Sequence, residues 1–231
     1  FTQPPPRRSP WTLGSHGDRH RLTDAQTAAV AAVDAAVERR ADLLLVHHGY
    51  FWKNEPAPLT GIKGSRIRTL MQQRVALMAY HLPLDAHPDL GNNCQLAQRL
   101  GFAAGCPLDP GKSLIWWAES EQSPSSLAAR ITDALGREPL HIDAGGQRIH
   151  RVGWCTGAAE GQIQQAAAAG LDAFISGEIS EPTVHLAREL GIHYFAAGHH
   201  ATERYGVRAL GGHLAEKFEL EHEFVDIPNP V

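Results

Sequence analysis

Apolar residues fall along this chain in short uninterrupted runs, separated by longer segments in which apolar and polar positions mix at helical spacing. "DLLLV" (42–46) is one such run, with the length and continuity of a strand buried on both faces. "VALMAYH" (75–81), "LIWWAE" (114–119), "RVGWCTG" (151–157), "DAFISGE" (172–178), "HYFAAGH" (193–199) and "EHEFVDIP" (221–228) read the same way. Between these runs the pattern predicts helices over 64–73, 93–100, 123–136, 160–170, 181–191 and 202–217. The helix at 123–136 is well punctuated, with Ser123 and Pro124 at its start and Gly136 at its end. Ahead of the first run, "TDAQTAAVAAVDAAVERRA" (23–41) predicts a single Ala-rich helix with arginines at its end, as the helix dipole favours. Strands alternating with helices define an α/β class with mixed, mostly parallel sheets.

Two echoes in the text predict two similar α/β halves. "ADLLLVHHG" and "LDAFISGEIS" both run from Asp through apolar residues to polar side chains at the strand end. "VALMAYHLPLD" and "IHYFAAGHHATE" each give a strand, a histidine, three residues and a carboxylate: His81 with Asp85, His199 with Glu203. The expected division is an irregular or truncated segment 1–22, a first domain 23–118 and a second domain 119–231 from which strands can return to the first. Open α/β sheets place their sites at the carboxyl ends of strands, so a site between the halves is expected there.

Composition narrows the function. The net charge of −4 lacks the clustered basic face of a general nucleic-acid binder. No apolar run is long enough for a bilayer and no signal-like segment opens the chain, which predicts a cytoplasmic protein. Three cysteines without CxxC spacing argue against both a disulfide framework and a thiolate zinc site. There is no GxGxxG after a strand, no GxxxxGK[ST] and no GxSxG. Fourteen histidines, however, are many for 231 residues, and their placement decides what they mean.

His47 and His48 follow a buried run, where an imidazole is costly unless its ring nitrogens find partners. Successive strand side chains face opposite ways, so both rings reach one site only where the strand breaks; Gly49 would permit that. Otherwise one is a core histidine and the other a surface one. Asp85 is either a turn residue near proline or a third donor, with His81 and His87 flanking it. His199 and Glu203, four apart at a helix start, share a face that His200 does not. They are a surface pair or ligands of a divalent ion such as Zn²⁺, Mn²⁺, Fe²⁺ or Ni²⁺. Five imidazole and carboxylate donors without thiolate suit two cations with open positions better than one closed structural zinc.

"LLLVHHGYFWK", "HLPLDAHPDLGNN", "WCTG", "DAFISGE", "YFAAGHHATERYGVRALGGHL" and "VDIPNP" together resemble the bacterial Nif-three-like family, also labelled GTP cyclohydrolase type 2 homologues or dinuclear metal centre hexameric proteins. The likeness runs from about Ala31 to the C-terminus. It implies a two-domain protomer holding two divalent cations, assembled as a toroidal homohexamer with the sites facing an inner cavity. It further implies His47 and His199 as ligands of one cation, His48 and Asp85 as ligands of the other, and Glu203 as the bridge. Such relatives begin with a helix and an apolar strand that residues 1–20 do not supply, so an edge strand is expected to be missing.

The leading functional expectation is a metal-dependent hydrolase of GTP cyclohydrolase type 2-like kind. In it a cation-bound water, acidified toward hydroxide, attacks a polarised ring carbon or phosphoryl group. His81 is the first candidate for proton transfer, with Glu178 and His200 behind it; each could instead only orient a ligand. A non-catalytic metal-binding ring, serving as scaffold or in metal handling, is the alternative. A ring that clamps nucleic acid is weaker, given the charge.

Overall fold

The structure, a computed structural model, describes residues 20–102, 104–146 and 148–231. The first sheet is built from β1 (Arg21–Thr27), β2 (Leu43–His48), β3 (Ala76–Ala79) and the last strand of the chain, in the order last-β1-β2-β3, all parallel. Helices α1 (Val30–Glu38) and α2 (Gly61–Gln73) make the crossovers, as parallel pairing requires. A short helix α3 (Leu82–Asp85) and α4 (Asn92–Arg99) lead to the second sheet.

That sheet comprises β4 (Cys106–Pro107), β5 (Trp116–Gln122), β6 (Leu140–Ile142), β7 (Ile149–Cys155), β8 (Ala173–Ser176) and β9 (His193–Ala196), ordered β4-β5-β7-β8-β9-β6. β7, β8 and β9 are parallel and the remaining pairs antiparallel. Helices α5 (Pro124–Leu135), α6 (Ile163–Ala168) and α7 (Glu181–Leu190) connect them, and Ser123 Oγ caps α5 by accepting from Ser126 N–H. The long helix α8 (His199–Phe218) then carries the chain back to β10 (Glu221–Phe224), beside β1.

α8 ties the two sheets together. Its Val207 packs with Leu22, Leu45 and Leu84 in the core of the first sheet, whereas Ala201 and Tyr205 join Leu96, Trp154 and Phe195 in the core of the second. Full burial of each large apolar side chain contributes about 1.5–3 kcal/mol, so the start of α8 is held from both sides.

Several expectations need correction. The Ala-rich text 23–41 is not one helix: Arg21–Thr27 is a strand and only Val30–Glu38 is helical. Tertiary pairing overrides alanine's preference here, because Leu22 to Gln26 are buried between β10 and β2. The strand β1 lies inside its sheet, between β10 and β2, and residues 1–19 of the expected irregular segment lie outside the described residues. β5 spans residue 118, and β4 and β6 are strands that the apolar runs did not predict. α8 begins at His199, not Thr202.

Candidate metal centre

β2 does not break before its histidines. It stays paired with β1 through Thr27↔His48, whereas its pairing with β3 ends at Val46↔Ala79. The ladder is thus lost on one side only. The rings of His47 and His48, with centroids 4.7 Å apart and planes tilted by 47°, both reach the space beyond the end of β3.

Into that space the fold brings all five predicted donors. His47 is fully buried; its Nδ1–H donates to the Tyr80 carbonyl at 2.8 Å, which leaves Nε2 facing inward. Nε2 stands 3.5 Å from Asp85 Oδ1 and 3.6 Å from Glu203 Oε2, too far for a hydrogen bond, and has no other partner. Glu203 Oε2 also lies 3.2 Å from His48 Nε2 and 2.8 Å from His199 Nε2. His199 Nδ1 meets Glu178 Oε1 at 2.6 Å, and His48 Nδ1 meets Thr27 Oγ1 at 3.2 Å. Every imidazole therefore has its outer nitrogen engaged and its Nε2 turned to the centre.

Two donor groups share the Glu203 carboxylate, His47, Asp85 and Glu203, and His48, His199 and Glu203, and a third joins His47, His48 and His81. This grouping differs from the pairing implied by the resemblance, which joined His47 to His199 and His48 to Asp85. The distances pair each strand histidine with the donor nearer its own face of β2.

Asp85 is positioned by residues to which the sequence reading assigned no role. Its Oδ1 accepts from Asn92 Nδ2 at 2.7 Å and from Thr156 Oγ1 at 3.5 Å, while Asn92 Oδ1 accepts from Gly206 N–H of α8 at 2.8 Å. Asn93 Oδ1 accepts from Thr156 N–H, and Trp154 Nε1–H donates to the Asn93 carbonyl. The quoted "GNN" and "WCTG" motifs were the available signal. Gln26, from the misread β1, reaches Glu203 Oε2 at 3.5 Å. His200 turns away, its Nδ1 2.9 Å from Gln26 Oε1 and its Nε2 2.8 Å from Asp226 Oδ1. His87 Nδ1 caps a turn by accepting from Asp89 and Leu90 N–H.

Charge follows from this crowding. Burial opposes ionisation of Glu203, but His199, His47 and His48 outweigh it and hold its carboxyl well below the usual range. The Glu203 hydrogen bond raises His199 to about 9 against the opposing effect of burial. For His47, burial lowers the pKa, yet Glu203 and Asp85 bring it out raised. Burial raises Asp85. His81 lies at the rim, its ring 4.9 Å from that of His47, 5.2 Å from His48 and 4.7 Å from the half-exposed Trp52. Burial, then the His47 and His48 charges, lower it to about 4.

The donor set fits divalent cations. Neighbouring donors 2.8–3.6 Å apart match the edges of coordination shells with bonds of about 2.0–2.2 Å, and the unpaired Nε2 of His47 is the kind of buried atom a cation would satisfy.

A mixed α/β protein with two sheets and a shared-carboxylate cluster of histidines is the class that fold and site define. The chain belongs to the family Duf34/NIF3 (NGG1p interacting factor 3), whose model matches residues 18–230. It is 54% identical over 214 residues to a Pseudomonas aeruginosa protein named GTP cyclohydrolase 1 type 2 homolog, covering 91% of this chain and 84% of the relative. A Vibrio cholerae protein of the same name is 54% identical over 216 residues, covering 91% and 86%. Among solved structures, ybgI, titled as of unknown function, matches with a TM-score of 0.86 at 45% identity, covering 94% of this chain and 87% of that one. A Thermus thermophilus protein matches at 0.83 and 32%, covering 93% and 86%.

Proposed function

We propose that this chain holds two divalent cations and uses them as a metal-dependent hydrolase of GTP cyclohydrolase type 2-like kind. The observation that carries the reading is the Glu203 carboxylate, one oxygen of which lies 2.8–3.6 Å from the Nε2 atoms of three imidazoles, while Asp85 Oδ1 stands 3.5 Å from His47 Nε2. His47, Asp85 and Glu203 would hold one cation and His48, His199 and Glu203 the other, with Glu203 as the bridge. The donor chemistry admits Zn²⁺, Mn²⁺, Fe²⁺ or Ni²⁺. When bound, such a pair supplies Lewis acidity and makes water a nucleophile at neutral pH.

The chain's own residues supply orientation and proton handling. Tyr80 O, Thr27 Oγ1 and Glu178 fix the three imidazoles, and Asn92 fixes Asp85. His81, at the rim, has a donor atom within 4.8 Å of those of His47 and His48 but stands outside both donor groups that contain Glu203; on this reading it is the proton-transfer residue, acting through a ring nitrogen. Trp52 beside it offers an apolar wall for a planar ring. The names of the relatives support GTP as the first substrate to try.

The reading includes a toroidal homohexamer acting in the cytoplasm. Family membership supports it, as do the exposed apolar side chains Phe51, Ile62, Met71 and Leu82. No helix among the described residues is long and apolar enough to cross a membrane.

The test is to load purified protein with each metal, determine metal content and assay GTP, other nucleotides, phosphoesters and cyclic amides. Two cations per chain, with turnover lost in His81→Ala at unchanged metal content, would support the hydrolase. Two cations with no turnover of any substrate would favour the non-catalytic ring. Failure of folded protein to retain any divalent cation would end both readings.

A further inference from the structure

A second group of donors lies at the other end of β9, away from His199. β9 opens with His193, whose side chain is almost fully buried; β6, antiparallel to it, carries His141, and Asp143 follows β6 directly. His141 Nε2 stands 3.2 Å from His193 Nδ1, which stands 3.4 Å from Asp143 Oδ1. All three donor atoms lie within 4.8 Å of one another.

These atoms are held, not merely adjacent. The His141 ring stacks flat on Phe195, with centroids 4.3 Å apart and planes 2° from parallel, which fixes its orientation. Asp143 Oδ1 accepts from Gly145 N–H at 2.9 Å, and that bond keeps its carboxyl below the usual range and charged. Burial and the neighbouring His193 lower His141, which keeps it neutral as a ligand must be. The far nitrogen of His193, Nε2, is buried without a partner, so the side chain meets its polar neighbours only through Nδ1.

Nδ1 of His193 faces the Ala144 N–H at 3.3 Å, the His141 Nε2 and the Asp143 carboxylate at once. With a proton on Nδ1, Ala144 N–H loses its acceptor. Without one, His141 Nε2–H and Ala144 N–H can both donate to His193 Nδ1, but a lone pair then faces the Asp143 carboxylate and the Nε2–H of His193 is buried without an acceptor. A cation instead satisfies both imidazole nitrogens and the carboxylate together, in exchange for the His141–His193 hydrogen bond and the long Ala144 contact. The two separations are also the edges expected of a tetrahedral shell with bonds of about 2.0–2.2 Å.

We propose that His141, Asp143 and His193 form a separate, single-cation site for a borderline divalent ion such as Zn²⁺, with water completing the shell. Two imidazoles and one carboxylate suit zinc, and the exposure of Asp143 opens the site to solvent. The bound ion would clip the edge strand β6 and the turn after it onto β9.

The experiment is equilibrium dialysis of the full chain against Zn²⁺ with elemental analysis, for wild type, His141→Ala and Asp143→Asn. Each variant should bind one zinc fewer per chain at concentrations that saturate wild type, the remaining affinity falling by at least about 100-fold. The zinc-dependent rise in unfolding temperature should shrink with it. Because the comparison is a difference between chains, it reads this site whatever number of ions the Glu203 centre holds. Asp143 lies on an exposed turn, so Asp143→Asn keeps its fold even where His141→Ala does not, and near-UV circular dichroism checks this. Equal zinc content in folded Asp143→Asn and wild type would overturn the proposal.

Discussion

Gly157 lies directly against the carboxylate of Glu203: a Cβ built on this glycine would overlap Oε1. Its φ of +67° adds a backbone reason for the residue to be glycine. The first residue after "WCT" therefore sets where the shared carboxylate can stand, and several consequences of the site can be measured.

Gly157→Ala should both strain the backbone and displace Glu203. The expected cost is about 1–3 kcal/mol in urea unfolding, together with a marked drop in retained divalent metal. A variant of unchanged metal content would show that Glu203 does not need its position.

Asn92→Ala should remove the 2.7 Å donor to the buried Asp85 Oδ1, leaving it only the 3.5 Å Thr156 contact, and the side-chain acceptor that Gly206 N–H faces. The loss should be about 1–3 kcal/mol in stability and about 10–100-fold in metal affinity. Denaturant titration and metal dialysis read the two effects separately.

The metal-free protein should be most stable near pH 6.5. His199, raised to about 9 from the unfolded value of 6.5, contributes fully below pH 6.5 and loses that contribution as pH rises through 9. His81, lowered to about 4, acts in the opposite sense: its unfavourable contribution is greatest below pH 4 and is gone above 6.5. Urea midpoints measured with chelator from pH 4 to 9 should rise and then fall. In His199→Gln the alkaline fall should flatten.

Thiol chemistry should separate the cysteines. Cys106 is exposed, whereas Cys155 is buried and its thiol is pushed up to about 12, chiefly by burial. A thiol reagent should label Cys106 in the native protein and reach Cys155 only on unfolding, as peptide mass mapping would show.

The histidine and carboxylate positions were legible because their chemistry is unusual where they stand: adjacent imidazoles after "LLLV", and a His–Glu pair four apart at a helix start. Asp85 was harder, since an aspartate near proline is commonly a turn residue, and here it ends a four-residue helix. Gln26 was invisible because the text around it reads as helix. Its strand exists through pairing with Leu43–His48 and with Glu221–Phe224, far away along the chain.

What the amino-acid order determined by itself is the alternation of buried runs and amphipathic segments, and with it the α/β class and the donor types. Local periodicity and residue chemistry are enough for that, since each depends on neighbours within a few positions. Which donors stand together was decided in three dimensions. His47 meets Asp85, and His48 meets His199, because β2 keeps its ladder on one side only and α8 is wedged between two cores. Such distances arise from the packing of remote segments, which no local pattern encodes.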